Sequence, residues 1–258
     1  MNLEKNDKLI LLTNDDGLYA GGIKTLIRIM EEFGKLVVIS ATESRSAMSQ
    51  ALTVKQPLRV KLLEEDDNKR IYACSGTPAD GIKLAVNQLL DRKPDLVVSG
   101  INHGSNASAS ILYSGTMAAA LEGCLYDITS VGFSLNSYSS SADFSGCEEY
   151  IKKICRMLLR EPLPAGICLN VNFPALPASE IKGMVVARQA SGNWQEEFEK
   201  RKDPAGKTYY WLTGNFINHE PDASDTDDWA IQNGYVSVVP VTTDMTAYGF
   251  IEKLKSKL

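Results

Sequence analysis

Short apolar runs alternate with helix-period stretches along the first half of this chain, and few folds accommodate that alternation. Leu9 to Leu12 and Leu36 to Ile39 are compact runs of the kind that fill strands buried on both faces. Between them Ile23, Leu26, Ile27 and Met30 recur at i, i+3, i+4 and i+7, one face of a helix that Gly34 can end. Strand, helix and strand in that order form a βαβ unit with parallel strands. The rhythm continues downstream. Thr77-Pro78 predicts a capped helix start with Ile82, Ala85, Val86 and Leu89 on its buried face, and Leu96 to Ser99 is the next strand. Ser114 caps a helix through MAAALEGCL, SVGFSL follows as a strand, a helix spans about Phe144 to Leu159, and ICLNVNF and MVVARQ add two strands. The expected fold is α/β and Rossmann-like, a mostly parallel sheet flanked by helices.

Two regions depart from the rhythm. ALTVK, LRVKLL and RIYACS, separated by Gln56-Pro57 and by EEDDNK, read as short antiparallel strands, a β-hairpin excursion beside the main sheet. Residues 190 to 234 hold all three tryptophans, Trp194, Trp211 and Trp229, together with Phe198, Tyr209, Tyr210 and Phe216. So much aromatic surface predicts packing, either as a projecting arm against another subunit or as a flap over a ligand. GYVSVVPV then returns as a strand, and the tail forms an amphipathic helix from Tyr248 to Leu258. The chain thus divides into a single-domain core over 1–185 and a C-terminal extension over 186–258, read as an oligomerisation element.

Charge and cysteine usage narrow the partners. A net charge of -5 without a Lys/Arg cluster argues against binding polymeric nucleic acid. No stretch approaches the roughly 18 apolar residues of a membrane span, and the start MNLEKNDKLILL lacks a leader pattern. The five cysteines are widely spaced with no CxxC pair, which fits free thiols in a reducing compartment. The expectation is a soluble cytoplasmic protein with no membrane partner.

Three loops that follow expected strands are rich in oxygen donors: Thr13 to Gly17, Thr42 to Ser49 and Gly100 to Ser114. Parallel strands would open them at one end of the sheet, where ligands collect in folds of this class. The first carries adjacent carboxylates, Asp15 and Asp16, which repel each other unless water or a cation offsets them. The second adds Ser44, Ser46 and Ser49, the third Asn102 and Asn106. Oxygen ligands with no Cys and little His suit a hard cation such as Mg²⁺ or Mn²⁺. Any one loop alone is more simply a turn; three together favour function. Without a cation, one carboxylate of the pair should titrate above an isolated Asp. Ser114-Gly115-Thr116 opens a helix, and its free N–H groups can hold a phosphate, although a simple N-cap would look the same. His103 could act as acid or phosphate contact and His219 lies in the aromatic arm, but a lone His is more often a satisfied polar residue. Neither GxGxxG, GxxxxGK[ST] nor GxSxG occurs here.

Taken in order, LLTNDDGLYAGGI, SRSAMSQALT, SGTPADGIKLA, DLVVSGINHGSN and LYSGTMAAALEG resemble the SurE family of survival proteins, and GYVSVVPVTTDMT resembles that family's closing strand. The resemblance implies a metal-dependent phosphatase acting on nucleoside 5′- and 3′-monophosphates, with short polyphosphate as a further substrate. It implies one divalent ion per subunit, Mg²⁺ or Mn²⁺, held by Asp15, Asp16, Ser46 and Asn102, with Asp15, Asp16 and Asn102 catalytic. Asn106, Ser114, Gly115 and Thr116 would line the phosphate site. It also implies a Rossmann-like core whose C-terminal extension is exchanged between subunits of a dimer or tetramer. The chain departs from the family at SATES, where Ala-Pro is common, and in SAMSQA, which lacks the glycine usual shortly after the metal-binding serine. Attack by water and attack by Asp15 are both open to such a site. Readings of other classes are a nucleotide-binding regulator without turnover and an assembly protein whose arm is its purpose.

Overall fold

The computed structural model describes residues 8–258, so most of the segment preceding the first apolar run lies outside the described residues. β1 (Leu9–Thr13) is central because it has apolar partners on both faces. Ile10 and Leu12 pack with Leu26, Ile29 and Phe133, whereas Leu11 packs on the other side with Val37, Ile39, Ile82 and Ala119. α1 (Gly21–Met30) buries Ile23, Leu26, Ile29 and Met30, and returns the chain to β2 (Lys35–Ala41), which pairs parallel with β1.

The chain then moves outward through β3 (Val60–Glu65) and β4 (Lys69–Cys74), antiparallel to each other, with β4 parallel to β2. α2 (Pro78–Leu84) carries it back to the other side of β1 as β5 (Leu96–His103). α3 (Gly115–Leu125), β6 (Ser130–Leu135), α4 (Glu148–Arg160) and β7 (Ile167–Phe173) extend the parallel sheet in that direction. β1 and β5 therefore flank the point where strand order reverses, the place where a crevice opens beyond the carboxyl ends of the strands.

The C-terminal part contributes β8 (Met184–Val186), β9 (Gly192–Gln195), β10 (Phe198–Lys202), β11 (Thr208–Leu212), β12 (Asn215–Asn218), α5 (Asp227–Gln232), β13 (Val236–Thr242) and α6 (Ile251–Lys255). Among the described residues nine strands form one sheet in the order β3-β4-β2-β1-β5-β6-β7-β13-β8. β13 is antiparallel to β7 and parallel to β8, so the closing strand is part of the main sheet. What projects is a pair of antiparallel ribbons, β9 with β12 and β10 with β11.

Several details differ from the sequence reading. ALTVK is no strand: its polar groups bind the start of α2 instead of a sheet neighbour. The Thr53 N–H and hydroxyl donate to Asp80, and the Thr77 hydroxyl donates to the Ala51 carbonyl at 2.8 Å. MVVARQ supplies only the short β8, and Val186 stands exposed. α2 gives way to a π turn at Ala85–Leu89, and the tail helix is reduced to Ile251–Lys255 after a 3₁₀ turn. Among the described residues no helix is long and apolar enough to cross a membrane. All five cysteines are buried and unbridged.

Asp80 completes a capping box with Thr77, in which each side chain accepts the other's backbone N–H. Burial opposes its charge, but the hydrogen bonds from Thr53 and Thr77 outweigh this and hold its carboxyl below the usual range. Asp80→Ala is expected to cost about 2 kcal/mol in urea unfolding at pH 7. A depressed carboxylate stabilises above its unfolded pKa and loses that contribution as pH falls through its folded one. The difference between the two proteins should therefore narrow in acid.

Candidate active site

Past Thr13 the chain leaves β1 in a turn shaped by Asn14, whose amide donates to the Gly17 carbonyl at 3.0 Å and whose oxygen accepts from the Ser40 hydroxyl. Asn14 is thereby a structural member of the NDDG run, and Asp15 and Asp16 stand at the apex. Asp15 is only 3% exposed. Its Oδ1 accepts from the Thr116 hydroxyl at 2.7 Å, and the first turn of α3 closes against it so tightly that a Cβ on Gly115 would lie 2.9 Å from Oδ2. Any larger residue at 115 would push the helix start off the carboxylate. Burial is the main influence on Asp15 and pushes its carboxyl up to about 6; the Thr116 hydroxyl opposes the rise and the Asp16 charge adds to it. The raised carboxyl agrees with the expectation from the paired charges, but burial outranks repulsion as its cause.

Asp16 is held from the third loop. Its Oδ2 accepts the His103 backbone N–H at 2.9 Å and lies 3.0 Å from His103 Nδ1. The imidazole in turn packs edge-on against Phe144, with centroids 5.0 Å apart. His103 thus positions a carboxylate, a role that its isolation in the sequence did not disclose. Next to it, Asn102 donates its amide N–H to the Gly104 carbonyl at 2.8 Å, leaving the amide oxygen as the atom suited to a cation.

The serine loop is fastened at two points. The Arg45 N–H donates to the Asp15 carbonyl at 2.7 Å, while Ser49 donates through its N–H to the Tyr113 carbonyl and through its hydroxyl to Leu112. Ser46 is exposed, and its hydroxyl shares a 2.7 Å hydrogen bond with that of Ser44. The residue after it, Ala47, has a φ of 57°, a left-handed conformation more natural to glycine. Ser49 is left-handed too, with a φ of 49°, so the loop keeps this turn without the glycine that SAMSQA lacks. The three loops and the start of α3 therefore converge, with Ser46 joined to the carboxylates through its neighbour.

Asn106 is drawn into a buried amide network. Its side chain donates to the Ser134 hydroxyl at 2.7 Å, its N–H donates to Asn172 Oδ1 at 2.8 Å, and its carbonyl accepts from Asn170 at 2.8 Å. Asn170, Asn172 and Ser134 were not singled out from the sequence. Their signal is nevertheless present: ICLNVNF places two amides at i and i+2, on one face of an otherwise apolar buried strand. Ser114 caps α3 by accepting the Met117 N–H at 3.0 Å, and the Thr116 hydroxyl is committed to Asp15.

This donor set fits a hard divalent cation. Two adjacent carboxylates, one of them buried, would be relieved by positive charge, and an amide and a hydroxyl can supply neutral oxygens.

Comparison with known proteins places this geometry in context. The family described as Survival protein SurE matches residues 10–196. The 5'-nucleotidase SurE of Flavobacterium psychrophilum is 51% identical over 249 residues, covering 96% of both chains. That of Bacteroides fragilis is 48% identical over 256 residues, covering 98% of this chain and 99% of its own. The crystal structure of the SurE protein from Aquifex aeolicus superposes with a TM-score of 0.83 at 36% identity, covering 96% of this chain and 99% of the other.

The amide network gives a test that needs no ligand. Asn172→Leu strips the acceptor from the Asn106 N–H and the Ser105 hydroxyl. It should destabilise the fold by about 1–3 kcal/mol and speed amide hydrogen exchange at residues 105–108. Exchange there unchanged from wild type would show that the network does not hold the loop.

Proposed function

The chain belongs to the SurE family, and from that premise we propose that it is a 5′/3′-nucleotidase, a phosphoric monoester hydrolase dependent on one Mg²⁺ or Mn²⁺ per subunit. The observation that carries this reading is the closure of α3's first turn on Asp15, which brings a phosphate-holding helix start and a cation-attracting carboxylate pair to one spot. Asp15, Asp16, Ser46 and Asn102 would hold the cation. When bound it supplies Lewis-acid charge to the phosphoryl oxygens and makes a water more acidic.

The chain's own groups do the rest. Ser114 fixes the helix start, and the N–H groups of Gly115 and Thr116 take up charge that develops on the phosphoryl oxygens. Asn106, anchored on three sides, sets the far wall of the phosphate site. His103 keeps Asp16 from turning away, so the cation ligands are arranged before substrate arrives. Water attacks phosphorus in line and gives a proton to a carboxylate of the pair; the ester P–O bond breaks, and that proton passes to the leaving oxygen, so nucleoside and inorganic phosphate depart. Short polyphosphate has the same terminal chemistry and is included in the proposed range.

We further propose that the protein works in the cytoplasm as a dimer or tetramer, in which the extension over 186–258 serves oligomerisation and its projecting ribbon β10–β11 is the part available for exchange between subunits. Support comes from the ribbon β10–β11, where Phe198, Tyr210, Trp211 and Leu212 are all more than half exposed.

Chelation by EDTA should abolish phosphate release from AMP and GMP, and Mn²⁺ or Mg²⁺ should restore it; activity indifferent to chelation sinks the proposal. Asp15→Asn and Asp16→Asn should each lower kcat/KM by about a hundredfold or more. Rapid acid quench with labelled nucleotide should trap no phosphoenzyme, whereas a labelled chain would replace water with Asp15 as nucleophile.

A further inference from the structure

One residue beyond the proposed phosphate wall lies a cavity of about 330 Å³ that the phosphoryl chemistry leaves unused. Ser105 and Ala107, the neighbours of Asn106, form part of it; Tyr138, Trp194, Phe216 and Asp228 form other parts. We infer that this cavity is the nucleoside subsite, in which the base packs against the Trp194–Phe216 pair and Asp228 receives its N–H edge. The inference rests on the nucleotidase reading and deepens it.

Position comes first. Ser105 and Ala107, on either side of Asn106 in the chain, line the cavity, so the loop proposed to hold the phosphate also borders the space for its ester substituent. Its size is that of a small-ligand pocket. The aromatic wall offers a face and an edge: Trp194 and Phe216 are register partners on the β9–β12 ribbon, half-buried, meeting edge to face with centroids 6.1 Å apart and planes at 66°, so a base packs against one of the rings and does not slot between them. Such faces accept any base by stacking. Tyr138 is exposed and packs over the Gly104 backbone, between the Asn102 turn and the cavity, and a Cβ on Gly104 would lie 2.3 Å from its ring.

Charge then orients the ligand. Asp228 is the charged residue among those lining the cavity, and its Oδ2 accepts from the Asn218 amide at 2.7 Å. A carboxylate only accepts, so it repels phosphate and favours ring N–H and exocyclic amino groups. Guanine presents two such donors side by side, which makes it the best-matched base. The walls are also mutually fixed. Asp227 accepts the Ser108 N–H at 2.8 Å and the Ala190 N–H at 2.9 Å, and the Ser108 hydroxyl donates to the Ala190 carbonyl. The loop bearing Asn106 and the root of the arm therefore move as one body.

The test compares GMP, AMP, UMP and the baseless ribose 5-phosphate on the full chain with Mn²⁺. Trp194→Ala should lower the preference for GMP over ribose 5-phosphate, as a ratio of kcat/KM, by tenfold or more, chiefly through KM. Asp228→Asn, nearly the same size, should lower GMP more than UMP and so report on the subsite without enlarging it. Equal losses on all four substrates, or none, would overturn the inference. If the wild type releases phosphate from none of them, the nucleotidase reading fails by itself. Calorimetric titration with guanosine then decides the subsite separately: binding weakened by Trp194→Ala upholds it, and no binding to the wild type rejects it.

Discussion

A carboxylate buried at the end of a central strand is the constraint around which this molecule is arranged. Charge is expensive away from water, and a second carboxylate beside it makes matters worse. The fold answers with geometry: a threonine hydroxyl and the start of a helix on one side of Asp15, a histidine and a backbone N–H on Asp16, and a serine loop tied to the Asp15 carbonyl. Each of these lies on a different segment, and the reversal of strand order at β1 and β5 is what lets them meet. The neighbours soften the cost, and the remaining repulsion is what a bound cation would remove.

The alternation of strand and helix was legible because buried parallel strands are apolar throughout and α1 keeps a 3.6 period; β1, α1, β2, β5, β6 and β7 all follow it, while α3, buried on every side, was marked by its Ser114 cap. What escaped depends on partners that periodicity does not carry. ALTVK alternates like a strand, yet Asp80 and Thr77 claim its backbone groups. β13 reads as a strand in isolation, while its antiparallel seat beside β7 is decided by tertiary packing. α5 was hidden inside an aromatic stretch that reads as ribbon.

The site divides in the same way. NDDG and SGT were visible because oxygen-rich runs directly after apolar ones are chemically conspicuous. His103 was not, because one histidine in a loop looks the same whether it faces water or Asp16. Asn170 and Asn172 lay within a strand whose apolar majority drew attention from the two amides. Helix α3 shows the reverse case: SGT suggested only an anion-binding start, and the structure gives Thr116 a second task at Asp15.

The span of chain between the partners carries a kinetic meaning. Thr116 and Asp15 are 101 residues apart, His103 and Asp16 are 87 apart, and Ser108 and Asp227 are 119 apart. None of these pairs can form by local ordering; each waits until the intervening strands have registered, and long loops are slow to close. A chain still emerging during synthesis, or one with only its first βαβ unit in place, holds Asp15 and Asp16 as ordinary hydrated side chains. The environment of the carboxylate pair is thus a property of the assembled sheet and of none of its segments alone.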